Sequence, residues 1–249
     1  GDETDSIQIS NESMNSNNND AWRIANEFGN AEFNVSNEPV YDDAPDNKGN
    51  NMLIISTGVV ANADGNGKVT EGAGSQGGNG DNTNLDDVNP NNDGLPPPLD
   101  PSYGSNNGAG GTPFVDCDGV NDCSDSLYNH WFVSGYDNPN DMLWLDFEVT
   151  VPAETNGYIF DFAYFSSEWP SWIDTSFNDL FIAWQVSEAY TGNVTFVNGA
   201  PLTITSLDDA NAFQFTGAAP ELVGTGFEGN AGTGWFNAKG AAVPAETLR

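Results

Sequence analysis

Apolar and polar residues alternate with a period of two through much of the second half of the chain. In "MLWLDFEVTV", residues 142–151, Leu143, Leu145, Phe147, Val149 and Val151 fall on one face and Trp144, Asp146, Glu148 and Thr150 on the other. Successive side chains of a strand point to opposite faces, so this pattern predicts a half-buried strand. In "GYIFDFAYFS", Tyr158, Phe160, Phe162 and Tyr164 alternate with Ile159, Asp161, Ala163 and Phe165. Both faces are aromatic enough to predict a central strand packed on two sides. "DLFIAWQVS" repeats the pattern, and "NVTFVNG", "PLTIT", "AFQFT" and "GWFNAKG" follow. Many short strands separated by Gly, Asn and Pro turns predict an all-β fold, an antiparallel β-sandwich or jelly roll.

The first half reads differently. Residues 1–19 are polar and Asn-rich, with one short alternation in "SIQIS", and are expected to form an extended arm. "DAWRIANEF" places Trp22, Ala25 and Phe28 at helical spacing behind Asp20 as an N-cap, which predicts one short N-terminal helix. "NMLIISTGVV", residues 51–60, is a continuous apolar run of strand length and reads as a buried strand. From Ala61 to about Gly111 large apolar residues almost disappear. A long Gly/Asn/Asp-rich loop of this kind inside a compact domain is as a rule functional or disordered. The expected organisation is an arm and helix over 1–49, then a sandwich over 50–249 carrying a loop insertion at 61–112.

Charge changes the picture. The chain has 37 Asp and Glu against 5 Lys and Arg, a formal net charge of −32 over 249 residues. Nucleic acid and anionic membrane surfaces require a basic face, and this chain has none to offer. No run of about 18 apolar residues is present for a membrane span. Self-repulsion on this scale calls for cations that screen the charge or bind to it. A saline environment and clustered Ca²⁺ sites are the two causes that produce such a composition. The start at Gly1, without Met, reads as a processed form whose leader has gone. The end, "PAETLR", falls where a strand is about to start and reads as cut.

Candidate chemistry concentrates in acidic loops. Cys117 and Cys123, five residues apart in "DCDGVNDCSDS", are expected to close a small disulfide loop in an oxidising compartment. A zinc site needs more Cys or His than His130, the sole histidine, supplies. Asp116, Asp118, Asp122 and Asp125 crowd that loop. Like charges repel, and Ca²⁺ with its six to eight oxygen ligands resolves the repulsion; a solvated acidic turn is the alternative. Asn62, Asp64 and Asn66, with Gly67, stand at EF-hand spacing, but Ala73 occupies the position of the bidentate Glu and Glu71 falls two residues short. Asp81, Asp86 and Asp87 form a further candidate site. Catalysis finds little support: a Ser-His-Asp arrangement depends on His130, and no Gly-x-Ser-x-Gly elbow occurs. Trp131, Trp169 and Trp172 suit stacking on sugars or packing in a core. Sequons stand at Asn11, Asn34 and Asn193.

"SSEWPSWIDTSFNDLF" sits between two predicted strands. Pro170 cannot donate to a ladder, so the first strand is expected to end before it. Trp169 and Trp172 are expected to close one end of the sandwich. Glu168, Asp174, Asn178 and Asp179 either accept backbone N–H groups and pin the crossover or converge in part on Ca²⁺. The whole segment resembles the choice-of-anchor L domain family. The shared elements are the aromatic strand Phe160 to Phe165, then Ser167, Glu168, Trp169 and Pro170, then Phe177, Asn178 and Asp179. "NMLIISTG", "DCDGVNDCSDSL" and "GTGWFNAKG" also resemble family segments, so the similarity spans roughly residues 50–249. It implies a secreted bacterial surface domain joined to one of several sorting signals, with no established enzymatic activity. Family members continue past the "ETL" position into further strands; this chain does not, which the resemblance explains by an early stop or by proteolysis after Arg249.

These readings converge on a non-catalytic, extracellular, Ca²⁺-stabilised structural or adhesive surface module. An open sheet edge is a template for another chain. Copies are therefore expected to assemble by strand donation into a filament, the arm 1–19 filling a neighbour's gap. A carbohydrate-binding module with a glycan partner is the alternative.

Overall fold

Alternation at the sequence level becomes short strands in the computed structural model, which describes residues 7–30, 32–38, 49–70, 85, 94–99, 122–127, 139, 141–175 and 177–249. The first strands are β1 (Gln8–Asn15), β2 (Trp22–Ala25), β3 (Glu27–Phe28), β4 (Phe33–Asn34), β5 (Met52–Ile55), β6 (Lys68–Val69) and β7 (Asp122–Cys123). Then come β8 (Trp144–Thr150), β9 (Gly157–Phe162), β10 (Phe165–Ser166), β11 (Leu180–Phe181), β12 (Trp184–Val186) and β13 (Thr191–Asn193). The last are β14 (Phe196–Val197), β15 (Ala200–Thr203), β16 (Phe215–Thr216), β17 (Ala231–Gly232), β18 (Phe236–Ala241) and β19 (Thr247–Leu248). They pair, mostly antiparallel, into small sheets of two or three strands, and the fold is all-β as the sequence predicts. β8 is central in one sheet, with β1 on one side and β19 on the other.

Two expectations about local structure are corrected. The predicted helix over "DAWRIANEF" is β2 and β3 instead. Trp22 to Ala25 pair antiparallel with Ile55 to Met52, and Glu27 and Phe28 pair with Asn34 and Phe33. The ladder satisfies the backbone there, and Asp20 gives its carboxylate to the Arg23 guanidinium at 2.5 Å rather than to a helix N-terminus. Helix appears where a strand was read: α1 (Ile204–Asp209) follows β15 directly. Thr203 Oγ1 accepts from Ser206 N, and Ser206 Oγ accepts from Thr203 N, a reciprocal capping box that turns the chain out of the strand.

The apolar run at 51–60 forms a strand over Met52–Ile55, but not a buried one. Leu53 and Ile55 are 38% and 39% exposed, while Met52 and Ile54 pack against the core. β9, expected to be central, pairs along its length with β18 and with no other described strand. Its aromatic face is a ladder: Tyr158 stacks on Phe160, Phe160 leans on Phe162, and Phe162 meets Phe181 and Phe236 at 5.1 and 5.8 Å. Tyr158 lies across Gly240 on β18, where a Cβ would fall 2.2 Å from the ring. The opening of the expected loop, residues 61–70, carries a turn and β6; most of the remainder lies outside the described residues.

The largest core cluster joins the two ends of the chain. Ala25, Phe28 and Phe33, from the stretch read as arm and helix, are buried together with Val60, Val69, Phe215, Leu222 and Phe227. Phe33 meets Phe165 edge-on at 4.7 Å and Phe215 at 5.9 Å, and Phe28 meets Phe165 at 5.2 Å. Edge-to-face aromatic pairs contribute about 0.5–1.5 kcal/mol beyond the area they bury. A polar layer is satisfied in full elsewhere: Tyr158 Oη donates to Gln185 Oε1 at 2.7 Å, and buried Gln185 Nε2 donates to Ala241 O and Ser187 Oγ. Glu246, also buried, accepts from the backbone N–H groups of Glu188 and Val243.

Phe33→Ala is expected to cost about 3–5 kcal/mol in urea unfolding, because it opens a cavity at this junction. A cost below about 1 kcal/mol would show that the N-terminal strands do not share the core.

Candidate functional site

The crossover between β10 and β11 carries the segment singled out in the sequence. β10 ends at Ser166, ahead of Pro170, as that proline requires. Ser166 Oγ then accepts from Glu168 N at 3.1 Å, and Glu168 O accepts from Trp172 N at 2.9 Å, which closes a turn around the Trp169–Pro170 bond. Asn230 Nδ2 donates to the carbonyls of Ser167 and Trp169. Trp169 Nε1 donates to Asp208 Oδ1 at 2.9 Å, so this ring is tied to α1. Asn178 Oδ1 accepts from Thr205 N, and Thr205 Oγ1 accepts from Asp174 N. The pinning role expected of four side chains therefore falls to Asn178 alone among them, and Asp174 takes part through its backbone. Trp172 and Phe177 are different: they are 46% and 57% exposed and meet edge-on at 5.4 Å.

Glu168 and Asp179 are left for other work. Glu168 Oε2 is shut away from water and has no hydrogen-bond partner. Burial, with the Asp179 charge adding to it, pushes the Glu168 carboxyl up to about 7. Asp179 is pushed up as well, first by desolvation and then by Asp141, although water reaches this residue and screens part of the effect. The Tyr164 hydroxyl is raised well above its usual range by burial and by the same two carboxylates. Among the described residues no basic side chain offsets these shifts, which favours protonation or a bound cation. Among the described residues no group of three or more His, Cys, Asp or Glu side chains is placed to hold a metal ion. A divalent cation between Glu168 and Asp179 would complete its shell with backbone carbonyls and water.

The other predicted sites fare unevenly. Asp64 Oδ1 accepts from Asn66 N at 2.7 Å and Lys68 N at 3.0 Å, and these bonds hold its carboxyl below the usual range. That oxygen closes the loop ahead of β6. The loop borders a pocket of about 500 Å³ lined by Asn26, Glu27, Asn34, Asn50, Asn66 and Lys68 among others. Lys68 Nζ pairs with Glu27 there and lowers its carboxyl. Asp122 lies on β7 and Asp125 in the 3-10 turn Ser124–Leu127. Cys123 is buried. Cys117, Asp81, Asp86, Asp87, Asp116, Asp118, His130 and Trp131 lie outside the described residues. Asp141, Thr205 and Asp208, which the sequence does not single out, bear on the crossover from distant segments, and Tyr164 stands just ahead of β10.

A carboxyl with a higher pKa folded than unfolded takes up a proton on folding between the two values. Its contribution to stability therefore falls as pH rises from its ordinary 4.5 to about 7 and stays lowered above. Without divalent cations, Glu168→Gln is expected to stabilise the protein at about pH 8 by about 1–2 kcal/mol, a figure reduced for solvent screening, with the gain gone at about pH 4. Urea unfolding at both pH values checks this, and a loss of stability equal at both would contradict it.

No protein-family profile, curated protein or solved structure matches this chain.

Proposed function

We propose that the protein is an extracellular structural or adhesive surface module that takes up Ca²⁺ and is not catalytic. One observation carries the reading: a carboxylate oxygen of Glu168 is enclosed, without a donor, and feels the charge of Asp179. Water-excluded anions are paired, protonated or metal-bound. Basic partners are scarce: three of the five basic side chains are spent on Asp20, Glu27 and Asp146, and Glu168 Oε2 has no hydrogen-bond partner. An oxygen-only environment suits Ca²⁺ over softer metals. Bound there, the cation locks the crossover that Trp169 and Asn178 tie to α1, and so holds the exposed Trp172 and Phe177 in one geometry for display. No described helix is long and apolar enough to cross a membrane, and the surface role does not require one.

The exposed Trp172–Phe177 pair favours a second reading, a carbohydrate-binding module. Aromatic faces stack on sugar rings, and amide-rich pockets such as the one around Asn26 and Asn66 bond hydroxyls. A glycan array run with and without Ca²⁺ distinguishes it: a Ca²⁺-dependent hit lost in Trp172→Ala supports this second reading.

Thermal unfolding in EGTA, in Ca²⁺ and in NaCl tests the first reading. Ca²⁺ at a hundredfold excess over its Kd is expected to add about 2.7 kcal/mol. NaCl at equal ionic strength is expected to add much less. Full restoration by NaCl alone would mean that screening, not binding, handles the charge.

A further inference from the structure

The chain's first strand is attached to the fold in an unusual way. β1 lies at the edge of its sheet, and six of its residues pair with β8: Gln8 with Thr150, Ile9 with Val149, Ser10 with Glu148, Ser13 with Asp146, Met14 with Leu145 and Asn15 with Trp144. Yet Gln8 to Ser13 are exposed throughout, and no residue of β1 belongs to any of the buried clusters. The backbone ladder holds it, and Asn11 Nδ2 donates to Glu148 Oε2 at 2.7 Å. Ile7 and Ile9 remain 60% and 59% exposed. The first residue locked into the interior is Ala21, with no exposed surface. Between them, residues 16–20 form a turn with local bonds from Asn18 N to Ser16 Oγ and from Asp20 N to Asn18 Oδ1, and Asp20 O accepts from Val60 N at its inner end.

We propose that β1 is an exchangeable strand whose partner is the β8 strand of a second copy of this chain. Transfer to another copy re-forms every β1–β8 bond and removes nothing from the core, so the two arrangements differ mainly in hinge geometry and association entropy. Simple edge-to-edge addition is the poorer route. The register shifts between Ser10 and Ser13, Asn11 sits at φ +54°, and exposed Glu12 adds a charge; a bulge and an edge charge both blunt strand addition. Exchange keeps that bulge against its own template. The net charge of −32 on each copy opposes association, so exchange proceeds in high salt, where the Debye length falls to about 3 Å at 1 M. This inference concerns assembly and does not rest on the cation at Glu168.

The test uses Gln8→Cys and Thr150→Cys, positions that face each other in the ladder. Full-length chains carrying one substitution each are mixed in about 1 M NaCl and oxidised. Exchange predicts a disulfide-linked heterodimer, with the 8–150 peptide identified by mass spectrometry. It also predicts unmodified protein with at least twice the 26.5 kDa of one chain by light scattering. A single-chain mass at every concentration would overturn the proposal. So would larger assemblies in which the 8–150 link forms only within one chain of the Gln8→Cys/Thr150→Cys double variant.

Discussion

A carboxylate oxygen removed from water needs a donor, a proton or a cation, and Glu168 Oε2 has no donor. That constraint reaches well beyond one side chain. The backbone around Glu168 is held on every side: Ser166 Oγ accepts from its amide, its carbonyl is taken by Trp172, and Asn230 fixes the carbonyls before and after it. Asp179, which is exposed, stands at the other end of the same segment, just before β11, and its charge reaches Glu168. The chain thus commits backbone and side-chain bonds to a segment in which an enclosed acid feels the charge of a second one, an arrangement that desolvation and repulsion both oppose.

The surrounding architecture explains why such a segment is tolerated. The sheets are small, and long-range aromatic contacts do the joining. Phe165, at the start of the crossover, meets Phe28, Phe33 and Phe227, drawn from both halves of the chain. The crossover therefore springs from the middle of the largest apolar cluster and ends against the capped helix α1. Trp172 and Phe177 stand exposed, edge to face, on the segment between these two supports. Asp64 shows a contrasting arrangement: its carboxylate is bonded by two amides of its own turn.

Much of the strand content was legible because period-two alternation survives in short segments. β8, β9 and β18 fall where the pattern puts them, and the end "ETLR" holds β19, which pairs with Thr150 and Val149. The N-terminal helix was misread because Trp22, Ala25 and Phe28 suit helical spacing equally well as two short strands. Only the ladder to Met52–Ile55, which is non-local, decides between them. α1 was hidden because its signal is a Thr203–Ser206 capping box and not the usual Glu at the fourth position. For the site, Glu168, Asn178 and Asp179 stood out as a motif, but their division of labour did not. Asn178 pairs with Thr205, and Asp179 stands near Asp141, through contacts that no local spacing encodes.

The carboxyl of Glu168 can be observed directly, by ¹³C NMR titration of its side chain in Ca²⁺-free and Ca²⁺-saturated protein. The account predicts an apparent pKa near the elevated value of about 7 without Ca²⁺ and a marked fall when Ca²⁺ is added, because the ion competes with the proton for the same oxygen. An ordinary carboxylate titration that Ca²⁺ leaves unmoved would contradict it.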